Sequence, residues 1–112
     1  MNAGAQLTVT DKRRAARHPT DFKVIAEHRL QGDVHLNIVN VSAQGFMAKG
    51  LSGMERGERL VMRLPVLGRI EAHLIWAHED RAGFQFERII RMDDFTKLVD
   101  AMQPNPRLRL KR

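Results

Sequence analysis

Between Phe22 and Phe86 apolar and polar residues alternate in short runs separated by turn residues, the period-two pattern of half-buried strands. FKVIAEHRL puts Phe22, Val24 and Ala26 on one face before QGD interrupts it. VHLNIVNVS continues through Val34, Leu36 and Ile38, then changes phase so that Val39 and Val41 become the apolar pair. A one-residue change of phase predicts a bulge or bend, because the side chains would otherwise swap faces. GFMAKGL follows, and ERLVMRLPV runs through Leu60, Met62 and Leu64 until Pro65 and Gly68 end it. The clearest alternation is GRIEAHLIWAHED, with Ile70, Ala72, Leu74 and Trp76 on one face and Glu71, His73 and Ile75 on the other. DRAG then predicts a turn, and FQF the start of a last strand.

After these runs the period lengthens. In RMDDFTKLVDAM the residues Phe95, Leu98, Val99 and Met102 recur at helical spacing, with Asp93 or Asp94 placed to cap the N-terminus. Pro104 and Pro106 stop that helix. The pattern predicts a mainly β protein, a small antiparallel six-stranded barrel whose open end is covered by one C-terminal α-helix.

Composition narrows the function classes. A chain of 112 residues, 43% hydrophobic and 29% charged, suits one packed domain. No run approaches the roughly 18 apolar residues of a spanning helix, and the N-terminus lacks the basic-then-apolar order of a signal peptide. A cytoplasmic protein with no membrane association is expected. The absence of cysteine excludes disulfides, thiolate catalysis and cysteine-ligated zinc. His18, His28, His35, His73 and His78 show no metal-ligand spacing, and no Ser, His and carboxylate motif is present. No metal, no cofactor, no catalytic residue and no enzymatic activity are expected. Trp76 reads as core or barrel-mouth packing in preference to a base-stacking platform.

The net charge of +6 is unevenly spread, concentrating in KRRAAR near the start and PRLRLKR at the end. A basic excess favours an anionic partner. Arg13 and Arg17 stand four apart with Lys12 and Arg14 beside them, and NVSAQG follows in a later strand and turn, with Asn40, Ser42 and Gly45. This Arg-x-x-x-Arg and Asn-x-Ser-x-x-Gly pairing, together with GRIEAHLIW and GFQF, resembles the PilZ domain family over residues 11–102. Residues 1–10 are then a flexible N-terminal segment and 103–112 a basic C-terminal tail.

That resemblance implies binding of the bacterial second messenger cyclic di-GMP. Arg13 and Arg17 would meet phosphate and guanine, with Asn40, Ser42 and Gly45 as the floor and Lys12 and Arg14 as further contacts. The residue types suit the ligand, since arginine's planar fork donates paired hydrogen bonds to phosphate oxygens and equally to guanine O6 and N7. Asn40 and Ser42, two apart on a strand, would share a face, and Gly45 would let the backbone turn closely beneath the ligand. The function so implied is that of a receptor and adaptor, whose arginine segment orders around the nucleotide and signals to a downstream protein in motility or exopolysaccharide control. A small basic barrel binding nucleic acid is the rival, weakened by the few aromatics, five Phe and one Trp. A PilZ-like protein-interaction module without ligand is the third reading.

Overall fold

The computed structural model describes residues 16–103. Six strands form a closed antiparallel barrel in the order β1-β2-β3-β6-β5-β4. They are β1 (His18–His28), β2 (Gly32–Val41), β3 (Gly45–Lys49), β4 (Arg59–Leu64), β5 (Gly68–His78) and β6 (Arg81–Phe86). Inward positions follow the alternation in the sequence: Leu36 and Ile38, Leu60, Met62 and Leu64, and Ile70, Ala72 and Leu74 are all buried. Phe46 lies among them, stacked on Phe84 with ring centroids 5.0 Å apart and tilted against Phe86 at 5.5 Å.

Three bulges bend the strands into closure. Val39 is the extra residue where β2 pairs with β3, since Ile38 faces Ala48 and Asn40 faces Met47. This is the phase change expected from VHLNIVNVS, and it keeps both Ile38 and Val41 inside. A second bulge lies in β1 between Pro19 and Phe22, where the Thr20 hydroxyl donates to the Ile38 carbonyl at 2.6 Å. The third falls in β5, where Leu74 faces Phe84 and Trp76 already faces Gly83. It overturns the placement of Trp76 on the face of Ile70, Ala72 and Leu74. The extra residue, Ile75, inverts the pleat and turns Trp76 outward, 42% exposed.

Two smaller expectations also change. The last strand begins at Arg81 and not at FQF, because Glu79 takes a left-handed φ of 58° and Glu79–Asp80 alone make the turn. The helix α1 (Met92–Ala101) is flanked at its start by Arg91, which makes no side-chain cap, whereas Asp93 and Asp94 lie within the first turn. The chain enters the helix early because buried Ile90 is pinned, its N–H donating to the Ala43 carbonyl at 2.9 Å. Asp93 still accepts one first-turn N–H, that of Asp94 at 2.9 Å, and both carboxylates lie at the positive end of the helix dipole. Phe95 and Leu98 of α1, and Met102 just past its end, pack into the same core as the strands.

Candidate functional site

The β2–β3 connection is a two-residue turn, Ala43–Gln44, closed by backbone hydrogen bonds from Ser42 N–H to the Gly45 carbonyl and from Gly45 N–H to the Ser42 carbonyl, at 2.8 and 3.3 Å. The Ser42 hydroxyl is buried within it and accepts from the N–H groups of Gln44 and Gly45 at 3.2 and 3.3 Å. A serine oxygen that satisfies backbone donors two and three residues on is the local chemistry that favours Ser in turns. The end of β6 and the loop after it hang on the same turn, since the Phe86 N–H donates to the Gln44 carbonyl at 2.8 Å and the Ile90 N–H to the Ala43 carbonyl at 2.9 Å.

Gly45 has a different reason to be glycine from the one expected. Its φ is not left-handed, and it lies in β3 opposite Gln85. A Cβ there would overlap the Phe84 carbonyl oxygen and stand 3.0 Å from the Gln85 Cα. The glycine lets β3 and β6 approach closely, which holds the turn against the barrel wall.

Arg17 reaches this turn from the start of β1. Its Nη1 donates to Asn40 Oδ1 at 3.0 Å, and Asn40 Nδ2 points to the Met47 sulfur at 3.8 Å. The segment carrying Arg17 is braced against α1 by His18, whose ring meets Phe95 edge-on with centroids 5.3 Å apart. Members of the two distant motifs are thus in direct contact, 23 residues apart in sequence.

A concavity of about 420 Å³ opens where they meet, lined by Arg17, Ser42, Gly45, Trp76, Gln85 and Ile89 among others. Its volume falls in the range of small-ligand sites, roughly 300–1,000 Å³. Trp76 is its aromatic wall. The indole lies across Gly83 on the neighbouring strand, so closely that a Cβ at Gly83 would overlap Nε1 and sit 2.5 Å from Cε2. Packing is thus what the ring does, against β6, and the adjacent GF of β6 was a usable signal for the contact, since a strand-interior glycine marks a place where something lies close against the backbone. Gln85 and Ile89 carried no signal at all.

Of the residues singled out from the sequence, Arg17, Ser42 and Gly45 line the concavity, and Asn40 is tied to it through Arg17. Lys12, Arg13 and Arg14 lie outside the described residues, as does the tail after Gln103. Among the described residues no group of three or more His, Asp or Glu is placed to hold a metal ion, and no helix is long and apolar enough to cross a membrane.

No family model matches the chain, and no curated protein does. Among solved structures it is similar to the Bacillus subtilis inhibitor of motility (MotI/DgrA), with 21% identity and a TM-score of 0.54 over 86% of this chain. The match spans 51% of that protein, so the chain corresponds to about half of its length. At this identity the likeness speaks for the fold.

Proposed function

We propose that this protein is a cyclic di-GMP receptor of the PilZ kind that acts on a downstream protein and catalyses nothing. The observation that carries the reading is the seating of Arg17 on Asn40 at the rim of a concavity that also holds Ser42, Gly45 and Trp76. Arg17 keeps donors beyond the one given to Asn40, and these suit a phosphate or a guanine Hoogsteen edge. Trp76 offers a flat face on which a guanine stacks. Ser42 acts by holding the turn, while Arg13 completes the clamp and Lys12 and Arg14 add charge. The likeness to a motility inhibitor fits an output through protein contact, in motility or exopolysaccharide control.

The charge distribution separates this reading from nucleic-acid binding. Residues 16–103 contain twelve Lys and Arg and twelve Asp and Glu, so the barrel is balanced and the excess of +6 belongs to the two ends. A barrel face that tracks a phosphate backbone needs net positive charge along its groove.

Calorimetry with cyclic di-GMP tests the proposal. We expect micromolar or tighter binding by the full chain, and at least a tenfold loss, about 1.4 kcal/mol, in Arg17→Ala and in Arg13→Ala. Wild-type affinity weaker than about 100 μM, or indifferent arginine variants, would refute it. Binding of single-stranded DNA with a steep salt dependence, in place of the dinucleotide, would favour the rival.

A further inference from the structure

The barrel closes unevenly. β1 has eleven residues and β4 has six, yet the two pair only at Glu27 with Val61 and His28 with Leu60. Residues 21–26 of β1 and 62–64 of β4 therefore have no strand partner across this seam among the described residues. An edge with unpaired N–H and C=O groups is a template for another strand.

Beside the seam lies a depression of about 850 Å³, lined mainly by apolar surface from Phe22, Val24, Ile25 and Leu36. Ile25 is 55% exposed at the edge itself. Lys23, Lys49 and Arg63 also line it, and none forms an ion pair with another described residue. Asp80 is the lone carboxylate of the lining. On a charge-balanced barrel, three unpaired cations around one apolar depression are a local excess. Asn37 in the same lining has an orphaned acceptor: its Nδ2 donates to Asp21 at 2.9 Å, while its Oδ1 is buried without a donor.

We propose that the β1–β4 seam is a strand-addition site for an extended acidic segment of a partner protein. The segment's backbone pairs with the free stretch of β1, its apolar side chains cover Phe22 and Val24 on the inner face of the pleat, and carboxylates on the alternate residues reach Lys23, Lys49 and Arg63 on the face of Ile25. Main-chain pairing supplies affinity in such complexes and alternate side chains supply specificity. The site is separate from the Arg17 concavity, so this proposal and cyclic di-GMP binding can fail independently.

The test titrates the ¹⁵N-labelled full chain, without nucleotide, with a short acetylated peptide of alternating glutamate and valine. Amide shifts are expected at Lys23–Ala26 and Met62–Leu64, with Arg17 and Gln44 unmoved. Arg63→Glu at the exposed position and Lys49→Glu at the half-buried one should each weaken binding by about two- to fivefold. A lysine-for-glutamate peptide should not bind, nor should one N-methylated at every second residue, which removes the donors of one edge. Shifts elsewhere, or none, would overturn the proposal. Equal binding of the lysine peptide would overturn its charge basis, and equal binding of the N-methylated peptide its strand pairing.

Discussion

Gly83→Ala acts on the contact that builds the wall of the candidate site. The new methyl would occupy the place of the indole Nε1, so the ring of Trp76 must leave the strand surface. Trp76 is 42% exposed, so somewhat more than half of its surface is covered. Taking about 200 Å² for a tryptophan side chain, roughly 110 Å² is covered, worth about 3 kcal/mol at 25 cal/mol per Å². Lifting the ring off the glycine exposes about half of that, a loss near 1.5 kcal/mol, offset by the roughly 0.5–1 kcal/mol that Ala gains over Gly inside a strand. The net cost is therefore about 1 kcal/mol or less, a fall in Tm of a few degrees. Trp76 is the sole tryptophan, so emission reports the ring directly. We expect a red shift in Gly83→Ala at nearly native stability, and a weaker response to cyclic di-GMP. Unchanged emission together with unchanged ligand response would refute both the seating of the indole and its place in the site.

The remaining predictions concern stability. Val66 holds a φ of 70° in the β4–β5 turn, where the Leu67 N–H donates to the Pro65 carbonyl at 2.7 Å; Val66→Gly should raise the unfolding free energy measured in urea by up to about 1 kcal/mol, and a lowered urea midpoint would contradict backbone strain there. Gly45→Ala drives a methyl into backbone that cannot swing aside, so a loss of about 3 kcal/mol or failure to fold is expected by denaturation, and a neutral result would contradict the close β3–β6 approach. The Glu58 carboxyl is held below its ordinary pKa by the Glu55 N–H and by His28 Nε2, each 3.0 Å away. Because the folded value is the depressed one, this contribution is complete above the unfolded value of about 4.3 and disappears as pH falls through the folded one. Glu58→Gln should accordingly flatten the acid limb of stability against pH, and an unaltered limb would show that Glu58 does not contribute.

Part of the candidate site was legible in the order and spacing of two short motifs. Arg17, Asn40, Ser42 and Gly45 stand out through the resemblance of the paired Arg-x-x-x-Arg and Asn-x-Ser-x-x-Gly stretches to the PilZ pattern, since either stretch alone reads as a solvated basic run or an ordinary turn. Their roles were less legible. Ser42 is occupied with two backbone donors and Gly45 with the approach of β6, and both are consequences of which strand lies alongside. Gln85 and Ile89 join the concavity purely because β6 and its following loop are hung on the Ala43–Gln44 turn.

Alternation along single strands determined the barrel and its core, since burial on one face of a pleat is a property of each strand alone. The same local rule located the bulge at Val39, where the phase of VHLNIVNVS changes within the strand itself. It failed at Trp76, where the apolar alternation runs unbroken through Ile70, Ala72 and Leu74. There the pleat inverts because the opposing strand offers Gly83, whose missing side chain leaves room for an indole on the outer surface. The open seam of β1 is of the same kind: strand lengths are written in the sequence, but how far two strands overlap is set by closing all six around one core.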